Sequence, residues 1–229
     1  MSNTAYLSLL LDAPLQSWGY QSRFDRRTSL SYPTRSGIVG MLCASMGIDR
    51  SYVQGLAQFD PKDLNITVYV LHAAGRLMDF HTVGGGYDRV AEEQFIVHTA
   101  EGKLKAPGKE TVTTQREYLQ DAKFGVVLQG DTALLGRIAD ALQNPRWGIW
   151  LGRKACIPAS LVFQGVHDSE ALALQRLQER ASPGCGVRSI IREVDRFEDG
   201  TDTLMDTPLD FAKRDFIPRR VSVESPGGE

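Results

Sequence analysis

Three short stretches of this sequence set cationic, hydroxyl and aromatic side chains next to one another, the combination that grips a single phosphodiester strand. In the first, Gln16, Ser17 and Trp18 are followed by Tyr20, Phe24, Arg26, Arg27 and Tyr32. Guanidinium groups there would meet phosphates beside flat faces on which bases stack. In the second, Thr34-Arg35-Ser36-Gly37 opens a helical pattern. A guanidinium, a hydroxyl and the N–H groups of a helix start would converge there on a phosphate. The third, Trp147-Gly148-Ile149-Trp150-Leu151-Gly152-Arg153-Lys154, repeats the ingredients. Each stretch also has a plainer reading, because Trp and Tyr are commonly half-buried packing residues and short basic clusters are commonly solvated surface.

A second chemistry can be written for some of the same residue types. Metal-free RNA cleavage needs a base for the 2′-hydroxyl, an acid for the leaving 5′-oxygen and a cation for the phosphorane. His81, Tyr118 and either Arg116 or Lys109 supply those types. Nothing in their spacing makes them converge, and the plainer reading is that Tyr118 packs and Arg116 is a strand-surface charge. The other histidines, His72, His98 and His167, lack metal-ligand spacing, as do Cys43, Cys156 and Cys185. A zinc site or a disulfide framework is therefore not expected, nor is any other metal or cofactor. P-loop, HExxH and GxSxG motifs are absent, and no clear helix follows the glycine run Gly84–Gly86.

The elements that must position these groups follow from periodicity. Ala5–Leu11 is apolar enough for a central strand, and Pro14 and Gly19 punctuate the stretch after it. A helix opens at Thr34 or Ser36 as N-cap and runs through Ile38, Val39, Met41, Leu42 and Met46. Its small residues Gly37, Gly40, Ala44 and Gly47 imply close packing or close approach by a ligand. Strands are expected at Leu64–Leu71, Arg76–Val83, Thr111–Leu119, Lys123–Gln129 and Leu161–Val166, and Asp131 caps a second helix with Leu134, Leu135, Ile138 and Leu142 on one face. Between the second and third of those strands, 84–111 is polar and reads as an extended hairpin inserted into the core. The order is βαββαβ, the ferredoxin-like arrangement shared by RNA-recognition (RRM) folds. The fold class is thus α+β. After Ser169 the pattern weakens to a short helix at Leu172–Ala181, an irregular acidic stretch at 182–208 and a possible strand at Phe216–Val223.

With 229 residues, 42% hydrophobic and 24% charged, the chain has the make-up of one large folded domain over 1–229 rather than a disordered or membrane protein. No apolar run approaches the roughly 18 residues a span needs, and no basic flank precedes Tyr6–Leu11, so a cytoplasmic location is expected. Formal net charge is −2, which argues against a generic nucleic-acid binder. The charge is uneven, however. Asp168–Asp210 holds ten acids against five arginines, a balance of −5 that leaves +3 elsewhere. The extension 168–229 is thus acidic and then basic, and its acids would face solvent or a basic partner.

The stretches Pro14-Leu15-Gln16-Ser17-Trp18-Gly19 and Tyr32-Pro33-Thr34-Arg35-Ser36-Gly37-Ile38-Val39-Gly40 resemble the Cas-five family of CRISPR-associated proteins in its type I-E form. Asp79-Phe80-His81-Thr82-Val83, Gln115-Arg116-Glu117-Tyr118-Leu119 and the stretch from Trp147 to Cys156 agree in order and spacing. The resemblance implies a modified RRM fold with a protruding thumb hairpin at 84–111. It implies a non-catalytic subunit of Cascade that holds the crRNA 5′ handle and caps the backbone filament. Such a subunit contacts the backbone (Cas-seven) and large subunits, and reaches target DNA through the assembled complex. A separate Cas-six endonuclease cleaves the precursor in that subtype, whereas in subtype I-C the Cas-five protein cleaves the repeat itself. The alternative is therefore a metal-independent endoribonuclease using His81, Tyr118 and Arg116. By position, the resemblance makes Gln16, Ser17, Trp18, Arg26, Arg27, Arg35, Ser36, His81, Arg116, Arg153 and Lys154 the expected RNA contacts.

Overall fold

The computed structural model describes residues 4–20, 25–73, 75–84, 98–99, 101–103, 111–182 and 186–226. Most of the expected thumb lies outside them, as do Phe24, Lys109 and Cys185.

Four strands and two helices build the core: β1 (Thr4–Asp12), α1 (Arg35–Met46), β4 (Leu64–His72), β7 (Lys123–Asp131), α2 (Thr132–Gln143) and β8 (Phe163–His167). All neighbouring pairs are antiparallel, in the order β4-β7-β1-β8. Numbered along the core this is 4-1-3-2, the ferredoxin-like order that the sequence pattern predicts. The strands are apolar on both faces because both are covered. Leu7, Leu9 and Leu11 of β1, with Ile66, Val68, Phe124, Val126 and Leu128, pack in the main core with α1 and α2. The alternate residues Leu10, Tyr69, Leu71 and Val127 pack against α3 (Glu170–Ala181) through Ala173, Leu177 and Ala181. The sheet face that would be open in a bare RRM is thus closed by α3.

Two helix starts are those expected, at Thr34 and Asp131, while the Gly47 stop and the Ser169 cap come from the structure. Thr34 Oγ1 accepts from Gly37 N–H, and Gly47 closes α1 in the left-handed region. Asp131 caps α2, and Ser169 caps α3.

The C-terminal extension is not irregular. It forms β9 (Ser189–Val194), β10 (Asp202–Asp210) and β11 (Asp215–Glu224), which widen the sheet to β10-β11-β9-β4-β7-β1-β8. The strand pattern was hidden by charge, since Glu193 and Asp206 look polar in sequence but point inward onto Arg35 and Arg219. These two acids therefore face neither solvent nor a partner.

A second, smaller sheet projects from the core. Its centre is β6 (Val112–Gln120), which pairs along its length with β5 (Gly75–Val83). It also meets β2 (Leu15–Gln16) and β3 (Arg26–Arg27). No described helix is long and apolar enough to cross a membrane.

At the core's far edge, Ser8 Oγ lies 2.8 Å from His167 Nε2 across β1 and β8. Burial, helped by the Arg176 charge and opposed by Asp168, pulls the His167 pKa below its ordinary value. Between that lowered value and about 6.5 the unfolded chain binds more protons than the folded one, so stability falls as pH drops through this window. Urea unfolding at pH 7.5 and 5.5 should show lower stability at 5.5, and His167→Gln should remove that part of the difference.

Candidate nucleic-acid interface

The site is built where three loops meet. Ser17 N–H donates to Leu151 O at 3.1 Å, and Leu151 N–H donates to Cys156 O at 2.8 Å. Gly152 sits at φ +103°, and a Cβ there would lie 1.8 Å from Ser17 O. Only glycine lets the 147–158 loop close on the segment after β2. Trp18 is held by its neighbours: its N–H meets Ser29 Oγ at 2.8 Å, and its indole N–H donates to Gln16 Oε1 at 3.2 Å. Its ring lies over Gly37, where a Cβ would come within 2.8 Å of Cε3. The small residue at the start of α1 is there to seat an indole.

Around this junction opens a groove of about 350 Å³. Ser17, Trp18, Arg27, Ser36 and Arg153, five of the expected contacts, line it. Phe211, in the turn between β10 and β11, and Phe216, the second residue of β11, line it as well. Arg153 donates to Glu117 O at 2.7 Å and Arg27 O at 2.9 Å, and its guanidinium lies 4.6 Å from the Tyr118 ring centroid. These contacts fix the guanidinium without neutralising it. The Glu117 carboxylate is engaged with Arg76 and the Ser29 N–H. Arg26, Arg27 and Lys154 are exposed, and among the described residues none of them pairs with a carboxylate. Arg116 stands opposite Arg27 in the β3–β6 register and is half-buried, its Nε–H donating to Thr114 Oγ1 at 3.1 Å. Lys154 Nζ lies 5.9 Å from the Trp150 ring. The groove is therefore a cationic channel with aromatic walls. Among the described residues no group of His, Cys, Asp or Glu is arranged to hold a metal ion.

Several expected contacts are elsewhere. Arg35 is fully buried, with Nη1 2.7 Å from both Glu193 oxygens and Nη2 donating to Phe59 O and to Leu64 O at 3.0 Å. It is a core residue and cannot meet a phosphate. The N-terminus of α1 is also taken, because Asp206 Oδ2 accepts from Arg35 N–H at 2.8 Å. The protein's own carboxylate fills the place where a phosphate would sit. Gln16 is buried too, donating to Leu11 O and Ala122 O at 3.0 and 2.7 Å. Trp18 shows the groove little more than an edge, being 1% exposed.

His81, Tyr118 and Arg116 do not form a cleavage centre. They share one face of the β5–β6 pair, but His81 opposes Thr114, while Tyr118 opposes Leu77, four positions along the strand. That is on the order of 13 Å of strand. Tyr118 is moreover buried beneath Arg153, and the His81 ring is paired with Asp79 at 2.5 Å.

Sequence reasoning missed Phe211 and Phe216. Their only signal is a phenylalanine on each side of Lys213-Arg214, at the head of the strand read at Phe216–Val223, which β11 bears out. It also missed Glu117, whose carbonyl accepts from both Ser17 and Arg153 while its carboxylate holds Arg76.

A family model described as CRISPR-associated protein (Cas_Cas5) matches residues 6–222. CRISPR system Cascade subunit CasD of Escherichia coli (strain K12) is 33% identical over 171 residues, 70% of each chain. A chain of a CRISPR RNA-guided surveillance complex superposes with a TM-score of 0.75 at 33% identity, covering 96% of this chain and 89% of that one. The crystal structure of a Cas protein superposes at 0.64 with 29% identity, covering 96% and 94%.

Arg35→Ala would leave Glu193 buried with one partner fewer. It should cost about 3–5 kcal/mol of stability, the range for breaking a buried pair from one side. Denaturant titration checks this, and a variant as stable as the parent would return Arg35 to the surface. Gly152→Ala should also lower the midpoint, through the clash with Ser17 O.

Proposed function

The chain belongs to the CRISPR-associated Cas5 family, and from that premise we propose that it is a non-catalytic subunit of a Cascade complex. It binds crRNA by the 5′ handle in the groove between Arg27, Ser36 and Arg153. The observation that carries the reading is the set of arginines that, among the described residues, have no carboxylate partner around a channel with aromatic walls. Phosphates fix the strand at the guanidinium groups, and bases splayed from a single strand meet the rings. The face that a bare RRM would offer to RNA is covered by α3, which leaves the rim of the sheet for the strand. Ser17 adds a hydroxyl within the groove, and Arg26, Arg116, His81 and Lys154 extend the cationic surface beyond it. Trp18 and Gln16 act from beneath, holding the loop that presents Ser17.

In this reading the subunit works in the cytoplasm. It caps the filament of Cas-seven backbone subunits and touches the large subunit. It meets target DNA only through the assembled complex, where base pairing with the guide reads the sequence. The separation of His81 from Tyr118 and the burial of Tyr118 favour binding over cleavage.

The test uses labelled repeat RNA in EDTA, run on native and denaturing gels. The RNA should be shifted and intact. Arg27→Ala should weaken binding about tenfold at low salt and reduce the slope of log K against log salt by roughly 0.7, the single-strand value for one lost phosphate contact. A discrete cut abolished by His81→Ala would overturn the reading and make the protein a repeat-processing endoribonuclease.

A further inference from the structure

The turn between β10 and β11 is built more firmly than a plain connection requires. Asp210 Oδ1 accepts from the N–H groups of Ala212 and Lys213 at 2.8 and 3.0 Å, and Arg214 turns the chain at φ +57°. Arg50 donates to Phe211 O at 3.3 Å. At the foot of the hairpin, Arg219 grips Asp206 with two hydrogen bonds of 2.7 and 2.9 Å. The result is a fixed pair of rings. Phe211 and Phe216 stand edge to face, centroids 6.3 Å apart at 73°, each part-exposed on the groove.

The groove is therefore two-sided. Arg27, Ser36 and Arg153 offer charge and a hydroxyl, while Phe211 and Phe216 offer apolar faces. At about 350 Å³ it is at the small end of ligand-sized pockets, on the scale of one nucleotide. A duplex keeps its bases stacked inward and has no single base to place there, whereas an unstacked base in a single strand does.

We propose that Phe211 and Phe216 form a subsite for one unstacked base of a single-stranded RNA, with the adjoining phosphate directed to Arg27 and Arg153. This rests on the RNA-binding reading and adds to it a stacking platform in the C-terminal hairpin. Ring–base stacking is tolerant of base identity, so the subsite sets the register of the strand and not its sequence.

The experiment titrates the full-length protein with a series of handle RNAs, each abasic at one position. One position should lose about tenfold in affinity and its neighbours little. Phe216→Leu keeps the apolar bulk but has no ring. It should lose about tenfold on intact RNA and become indifferent to the abasic change at that one position, the coupling expected of a direct contact. Phe216→Tyr should bind as the parent does. A flat abasic profile overturns the proposal without any protein variant. So does parental binding by Phe216→Leu while Arg27→Ala is weakened, and in that case RNA binding stands. If neither variant loses affinity, the RNA-binding reading fails together with the subsite.

Discussion

Two arginines and two carboxylates, largely withdrawn from water, tie the two halves of the molecule together. Arg35 at the start of α1 meets Glu193 of β9. Arg219 of β11 meets both Glu193 and Asp206, and Asp206 of β10 returns to the Arg35 backbone. Burial alone would lower the Arg219 pKa, but the hydrogen bonds to Asp206 and the charge of Glu193 outweigh it and hold it above its usual value. Two arginines face two carboxylates, so the formal charges of the cluster cancel. Burying four ions costs several kcal/mol apiece before pairing, so each is tolerable only with its partners in place. The C-terminal strands therefore dock on α1 in one position. That docking brings the Phe211–Phe216 turn against the Trp18–Gly37 junction and gives the groove its second wall.

The remainder of the architecture explains why the groove is at the rim. With α1 and α2 on one face of the core strands and α3 over β1, β7 and β8 on the other, the core's central strands leave no face for a ligand. The second sheet supplies the outlying positions. Its central strand β6 offers the Glu117 carbonyl to Ser17 and Arg153, so one backbone oxygen aligns two loops that are far apart in sequence. Neither thiol of the two described cysteines lines the groove. Cys43 is buried and its thiol is pushed up to about 12 by that burial, and burial raises Cys156 as well.

The core was readable because its signals are local. Apolar runs, with Thr34 and Asp131 as caps, follow from neighbours in the chain. Two readings went astray for a shared reason. Arg35 looked like a phosphate ligand, and the segment holding Glu193 and Asp206 looked like solvated loop, because charge normally marks surface. Their partners lie more than 150 residues apart, at a distance where periodicity is silent. The groove was read in part, since Ser17, Arg27, Ser36 and Arg153 fall in recognisable clusters. Its phenylalanine wall was not, because it depends on the docking of strands that the acids had masked.

The pairing of Val83 with Val112 closes the described end of the β5–β6 ladder. Opposed residues of an antiparallel pair have Cα atoms about 5 Å apart, so the chain leaves the second sheet and re-enters it through one narrow gate. The chain between the two valines is thus tethered at both ends to one point of the second sheet. Each doubling of such a loop costs only about 0.6 kcal/mol in closure entropy. The stretch can lengthen, shorten or change composition over evolutionary time while the seven-stranded sheet stays as it is. The same gate makes it a graft point, where a foreign peptide could replace the native segment without a strand of the core changing register.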